Sequence, residues 1–379
     1  MKRILRAATI AGTLGLLESV LPKLQERYDV QVLSSPGPTL DEMERKYGVK
    51  AHAVEMFRRI SPAKDMVSLR QLIKVFRHEK PDMVHSMTPK AGLLCMLAAL
   101  LTRVPVRVHT FTGLVWPTES GLKRKLLMLT DKITCACATH VVPEGEGVKN
   151  DLLNHHITRK PIRVLGYGNI RGVDATKFSR RQEVLDKAAL IKTEGVFTFL
   201  FVGRIVRDKG INELCEAFER LYSRHPDVRL VLVGGFEESL DPVSEAARNT
   251  IAHHPGVLMA GWTHGDDLLA YYAAADCFVF PSYREGFPNT VLEAGAMGLP
   301  SIVTDINGSR EIVVEGENGT IIPSKDAEAL HDAMERMMTD QVRREKMAGN
   351  ARRMILDRFE QGYVQRCLLE FYEEIMSAL

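Results

Sequence analysis

Short runs of aliphatic and β-branched residues alternate along the chain with longer segments whose apolar residues recur every three or four positions. In the first half the strand-like runs are Ile4–Ile10, Asp29–Ser34, Val49–Val54, Met83–His85, Val106–His109 and His140–Val142. Helical patterns such as Val67–Glu79, Pro89–Leu101 and Leu122–Cys135 lie between them. A second series of strands runs through Phe197–Val202, Val228–Val233, Val257–Met259, Cys277–Phe280 and Ser301–Val303. Strands alternating with helices at this pitch predict parallel sheets covered on both faces. The fold class is therefore α/β, with two Rossmann-like, doubly wound domains in tandem at 1–175 and 176–360. Gly166–Phe178, rich in glycine and turn formers, suits the connection between them. Everything after Asp326 is helical in pattern, and the last helix, 361–379, is expected to return to the first domain. Open α/β sheets bind ligands beyond the carboxyl ends of their strands, so two such sheets facing each other predict an interdomain cleft.

The amino terminus, Met1-Lys2-Arg3-Ile4-Leu5-Arg6 and then Ala7 to Leu17, has the flavour of a signal peptide. Arg6 sits too deep for one and no small-residue cleavage site follows, so the segment reads as a first strand, a turn at Gly12 and a helix ending near Tyr28. The longest apolar run, Ala91–Leu101, is about half of the roughly 20 residues a membrane span needs. Six scattered cysteines form no C-x-x-C pair and no zinc spacing, which suits reduced core thiols and a cytoplasmic protein. Disorder and a disulfide scaffold are excluded by a composition that is 45% hydrophobic and 26% charged over 379 residues. The net charge of +2 hides an asymmetry: residues 1–170 carry 26 basic and 15 acidic groups, a net of +11, and residues 171–379 carry the compensating −9. No strongly basic whole-chain balance points to nucleic acid.

Two segments of the second domain carry candidate chemistry. Phe199–Gly210 reads as a buried strand running into a glycine turn, with a helix starting near Lys209; Arg204 and Lys209 then project where an anion is expected. Ser282–Ala294 reads as a strand end, a Gly-Phe-Pro turn and a helix start. Amides near Pro288 to Val291, backed by the helix dipole, make a phosphate site to which the two cations add full charges. A diphosphate is the natural ligand. Glu285 precedes this helix and Glu293 lies in its first turns, and a carboxylate at such a place can accept hydrogen bonds from a vicinal diol. Taken singly, each Glu reads equally as a solvated or dipole-favouring helix residue.

The runs Gly203–Gly210 (GRIVRDKG), Glu285–Pro300 (EGFPNTVLEAGAMGLP) and Ile306–Gly319 (INGSREIVVEGENG) resemble the second domain of the retaining family 4 glycosyltransferases, whose fold is GT-B. Asp82–Gly92 is similar to the branch that builds capsular and O-antigen polysaccharide on a lipid-linked acceptor, and Gly172-Val173-Asp174 with Phe178 resembles the family's linker. The resemblance implies that Arg204 and Lys209 contact the diphosphate of a nucleotide sugar, that Glu293 holds the ribose, and that Glu285 faces the donor sugar. It further implies that the backbone of Gly286, Phe287, Pro288, Asn289 and Thr290 joins the phosphate cradle and that Gly12 and Thr13 close over the leaving group. Gly234, Gly235, Gly261 and Trp262 would lodge the base. Many relatives carry a histidine just before the glycine matching Gly113, where this chain has Thr112. His109, three residues upstream, or Thr112 itself then takes that role, and His85 and Lys90 join Thr112 as acceptor contacts.

The activity so implied is transfer of a hexose or N-acetylhexosamine from a nucleotide sugar, UDP-linked by expectation with a GDP-sugar left open, to a polyprenyl-diphosphate-linked saccharide. No metal and no cofactor are expected, since the cations and the helix terminus serve the leaving group. A nucleotide-sugar epimerase of the same fold is the alternative, and a non-catalytic sugar-nucleotide binder a third reading. Arg58, Arg59, Arg103, Arg107, Lys123, Arg124 and Lys125, beside Phe57, Leu122 and Leu126, suggest attachment of the first domain to anionic lipid at the inner membrane face. An ordinary solvated basic face has the same composition.

Overall fold

The structure is a computed structural model that describes residues 1–57, 60–237 and 241–378. Arg58 and Arg59 lie outside the described residues. The first sheet contains β1 (Arg3–Ala7), β2 (Asp29–Ser34), β3 (Lys50–Ala53), β4 (Met83–Met87), β5 (Val106–Phe111) and β6 (His140–Pro143), all parallel, in the order β3-β2-β1-β4-β5-β6. The second contains β7 (Phe197–Val202), β8 (Val228–Val233), β9 (Val257–Gly261), β10 (Cys277–Phe280), β11 (Ser301–Thr304) and β12 (Gly319–Ile322), again all parallel, in the order β12-β11-β10-β7-β8-β9. Each sheet grows outward in both directions from its first strand. The strand order therefore reverses between β1 and β4 and between β7 and β10, where loops diverge and leave room for a ligand.

The chain divides into one unit of Met1–Arg171 with Gly362–Leu379 and another of Gly172–Gln361. The second unit begins a few residues before position 176 because Val173 is already part of its framework. Val173 N–H donates to Phe359 O at 2.8 Å and Gln361 N–H to Val173 O at 3.0 Å, so the entering and leaving segments run side by side.

In the first unit the pleat of the buried strands feeds two cores, Leu5 and Ala7 on one face of β1 and Ile4 on the other. The last helix, Gln361–Ser377, contributes Phe371, Tyr372, Ile375 and Met376 to the core on the Ile4 side. Arg6 points to that face and is 2% exposed. Its guanidinium donates to the Tyr372 hydroxyl, which also bonds His85 Nδ1, while His85 Nε2 meets Thr110 Oγ1 at 2.7 Å. A polar chain thus ties the carboxyl-terminal helix to three strands, and it pairs most of its buried polar atoms with one another, Arg6 Nε excepted.

Sequence and structure differ at several elements. The expected long first helix is broken into Ala11–Leu14, a 3₁₀ turn Gly15–Leu17 and Leu21–Gln25, with Pro22 able to sit only in a first turn. Gly12 is inside the first of these helices rather than in a turn. The four-residue β12 and the helices Pro38–Tyr47, Glu146–Asn154 and Gln182–Ile191 were not expected as elements. Five of the six cysteines are buried and all six are free thiols. Among the described residues no helix is long and apolar enough to cross a membrane.

Asp131, on the helix Gly121–Cys137, is 7% exposed and accepts from Trp116 Nε1 at 3.0 Å. Burial raises its pKa to about 7, with the indole N–H pulling the other way. The unfolded carboxyl titrates near ~3.9, so the folded state holds an extra proton between that value and about 7. Stability from this group is greatest below pH ~4, falls as pH rises towards 7, and is flat above. Asp131→Asn should therefore melt above the wild type at pH 7.5, with the difference shrinking towards pH 4; thermal melts across that range check this.

Candidate active site

The second unit's switch point lies between β7 and β10, and the residues around it form the site. Beyond β7 the chain passes Gly203, makes a single 3₁₀ turn at Arg207–Lys209 and enters the helix Ile211–Arg224 through Gly210. The helix therefore starts two residues later than its pattern suggests, because Gly210 is left-handed at φ 72°. A Cβ on Gly210 would lie 2.0 Å from the carbonyl oxygen of Pro281, the residue after β10. Only glycine lets the two loops touch this closely. Their backbones are then joined directly, since Tyr283 N–H donates to Asp208 O at 2.8 Å, and Ser282 Oγ lies 3.1 Å from the same oxygen.

This contact carries Lys209 onto the Glu285 carboxylate in an ion pair whose side chains are 14% and 16% exposed. Ser282 Oγ, within the turn, also donates to Glu285 Oε1 at 2.8 Å. Arg284 is held away by Asp208 at 3.0 Å, and the Tyr283 hydroxyl spans both oxygens of Glu213 at 2.6 and 2.7 Å. Consecutive residues of the Tyr283-Arg284-Glu285 segment are thus each fixed by a separate partner.

The helix Asn289–Ala296 starts from Pro288 as its N-cap. Two expected cradle positions change here. Pro288 has no N–H, and the Val291 N–H already donates to Pro288 O at 3.2 Å. Donors to an anion narrow to the turn at Gly286 and the first-turn amide of Thr290, where the helix dipole still adds positive potential. Phe287 packs edge-on against Phe359 with ring centroids 5.3 Å apart and is 5% exposed, so it offers backbone only. Asn289 opens the helix and is half-buried. Glu293 is 7% exposed and accepts from the Tyr272 hydroxyl at 3.2 Å.

Arg204 is set by a second close approach. Ile205 N–H donates to Gly235 O at 2.8 Å, and Ile205 pairs with Phe236, which extends the β7–β8 pairing past the strand ends. Arg204 then faces Glu237, and the two form an ion pair. Burial lowers the pKa of the guanidinium, but the Glu237 carboxylate, together with Asp208 and Glu285, more than compensates, so the net shift is upward. Gly234 abuts the carbonyl of Gly203, and Trp262, 65% exposed, stands with its indole nitrogen over Gly235. Gly261 closes β9 beside them.

The sequence-derived residues of the first unit fare differently. Gly12 is exposed and Thr13 half-buried at the end of β1. His109 is 1% exposed, bonds Ser86 Oγ through Nδ1 at 2.9 Å and packs edge-on to Phe111. Its ring fills the space over Gly92, where a Cβ would come within 2.4 Å, and burial pushes its pKa down to about 3. His109 is therefore a buried, neutral group bonded to Ser86. His85 is likewise 1% exposed between Tyr372 and Thr110, and Lys90 is spent on Asp65 at 2.6 Å with little exposure. Of the proposed acceptor contacts only Thr112, just past β5, is half-exposed. Ser282, Asp208 and Glu237, which position the charged residues, were not singled out in the sequence. The first two lie inside the motifs quoted there, and Glu237 is marked only by following the glycine pair that ends β8.

Residues 17–168 match the family described as glycosyl transferase 4-like domain and residues 184–354 the family described as glycosyl transferases group 1. The capsular polysaccharide biosynthesis glycosyltransferase CapM of Staphylococcus aureus is 31% identical over 378 residues, 99% of this chain and 98% of CapM. The chain is a family 4 glycosyltransferase. Escherichia coli UDP-Gal:alpha-D-GlcNAc-diphosphoundecaprenol alpha-1,3-galactosyltransferase is 30% identical over 342 residues, 88% of this chain and 86% of that enzyme. The crystal structure of Anabaena HepE in complex with UDP-glucose superposes with a TM-score of 0.81 at 16% identity, covering all of both chains, and shows the fold to be GT-B. The transferase families and relatives set aside the epimerase alternative.

If the Gly210–Pro281 approach organises this transferase's site, Gly210→Ala should destabilise the fold by more than the ~1–2 kcal/mol of left-handed strain, because the clash adds to it. Denaturant titration measures the loss, and the same variant should bind UDP more weakly than the wild type.

Proposed function

We propose that the enzyme transfers a hexose or N-acetylhexosamine from a UDP-sugar, with retention of anomeric configuration, to a polyprenyl-diphosphate-linked saccharide in capsule, O-antigen or exopolysaccharide synthesis. The observation that carries this reading is the gathering of Lys209, Glu285 and the amino end of the helix Asn289–Ala296 at the β7/β10 switch point, with Arg204 on the same edge. The name of the Escherichia coli relative supplies both the UDP donor and the undecaprenol-linked acceptor by analogy.

Glycosyl transfer passes through an oxocarbenium-like state in which charge builds on the departing diphosphate. Lys209, Arg204 and the Thr290 amide are prepositioned donors for that charge, and preorganised donors are where most of the rate enhancement arises. Glu293, facing into its helix's surroundings, takes the ribose hydroxyls. Trp262 and the glycines at the ends of β8 and β9 take the base. Glu285, held by Lys209 and Ser282, sits next to the reacting sugar, and the cations do the work that a divalent ion does elsewhere.

The first unit is proposed to receive the acceptor at the membrane surface. On the helix Gly121–Cys137, Leu122, Leu126 and Leu129 recur at four and three residues and are 82%, 40% and 51% exposed. Lys125 and Lys132 are exposed on the same helix. Arg107 does not belong to this surface, because its guanidinium caps Cys137 O and Val104 O at 2.7 Å each. Arg124 leans on the Trp116 ring and Lys123 pairs with Glu119, so the polar rim is smaller than the sequence count implies. Each well-placed lysine contributes about 1 kcal/mol at an anionic surface.

Turnover of a UDP-sugar with a lipid-linked acceptor should be undiminished in EDTA, should give a product whose anomeric proton coupling matches the donor's, and should fall about 10²–10³-fold in Glu285→Gln. An absolute requirement for added Mg²⁺ or Mn²⁺, or an inverted product, contradicts the reading. Cosedimentation with liposomes should rise with anionic lipid and fall in Leu122→Ser/Leu126→Ser; indifference to both removes the membrane surface.

A further inference from the structure

Arg204 is paired with a carboxylate from the loop after β8. Its guanidinium meets the Glu237 carboxylate, with the two side chains 39% and 26% exposed. The pairing is built by the backbone: Gly203 N–H donates to Val233 O at 2.9 Å and Ile205 N–H to Gly235 O at 2.8 Å, and the Ile205–Phe236 bridge places the next residue beside Arg204. Gly234 N–H is anchored to Gly261 O at 2.8 Å, so the Glu237 end of the loop is tethered to the same strand ends that would lodge a base. A carboxylate held there presents two anionic oxygens to the guanidinium fork, the same chemistry as one phosphate of a diphosphate.

We propose that Glu237 is an exchange partner for the donor's diphosphate: it holds Arg204 in the empty enzyme, yields it when the nucleotide sugar binds, and reclaims it as UDP leaves. This deepens the proposed function and rests on its placing a nucleoside diphosphate at Arg204. A ligand that must displace an internal competitor has its apparent affinity reduced by the fraction of protein in which the competitor is released. The competition weakens binding of donor and product alike, and it speeds departure of UDP, a step that often limits turnover in such enzymes. Lys209 is not engaged in the same way, because its partner Glu285 belongs to the reacting end of the site.

The test is isothermal titration of the full-length protein with UDP, run on wild type, Glu237→Gln, Glu237→Ala, Arg204→Ala and the Arg204→Ala/Glu237→Gln double variant, with melting curves on each. Glu237→Gln and Glu237→Ala should tighten UDP binding by about two- to fivefold, the span supported by a half-exposed ion pair, and should lower KM and kcat together under saturating acceptor. On the Arg204→Ala background the Glu237 change should leave affinity where it was. Unchanged or weaker binding in both Glu237 variants overturns the exchange, as does tightening that persists without Arg204, which would mark a general charge effect. If UDP binds the wild type and is weakened in Arg204→Ala while Glu237 has no effect, the exchange falls and the nucleotide site stands. If UDP does not bind the wild type, both fall.

Discussion

The contact of Gly210 with the Pro281 carbonyl is the constraint on which the site depends. It forces the loop after β7 against the loop after β10, and Asp208 O then accepts from the Tyr283 N–H with the Ser282 hydroxyl beside it. Lys209 and Glu285 meet because their immediate neighbours cannot separate. A parallel sheet with a reversed strand order supplies the place, since β7 and β10 are adjacent there and their connections leave in opposite directions. Glycine supplies the distance.

The charged residues so assembled are paired rather than exposed as bare cations. Lys209 sits on Glu285 and Arg204 on Glu237, each pair at the edge of a buried strand end. Partly desolvated charges are costly without a partner, and each of these cations has a carboxylate beside it. Both pairs lie in a portion of the chain whose net charge is −9. The first unit solves a related problem with a different group: Arg6 is buried against the hydroxyl of Tyr372, and the carboxyl-terminal helix is fixed through that bond and the apolar residues around it.

Much of this was legible in the sequence, and the exceptions have physical causes. Alternating apolar runs predicted both parallel sheets because doubly covered strands must be hydrophobic along their whole length, as in Phe197–Val202. β12 escaped notice because it opens on Gly319 directly after the turn residues Gly316-Glu317-Asn318, which leaves only Ile321-Ile322 as an apolar signal. The charged positions of the second unit were readable as strand-end residues flanking glycine. Their pairings were not, because Glu237 and Glu285 reach Arg204 and Lys209 only through contacts between loops 33 and 76 positions apart in sequence. The burial of His109 and His85 was unreadable for the opposite reason. A histidine at a strand end looks the same in sequence whether its ring faces a ligand or the interior, and here the absent side chain of Gly92 and the hydroxyl of Tyr372 drew the rings inward.

The central claim, that a nucleoside diphosphate binds across the β7/β10 switch point, is tested most directly by a crystal structure of the complex with UDP. The account predicts the phosphates within hydrogen-bond distance of the Arg204 guanidinium, the Lys209 ammonium and the Thr290 amide, with the ribose hydroxyls on Glu293. UDP bound at another edge of the second sheet, with Arg204 still on Glu237 and Lys209 still on Glu285, would contradict it.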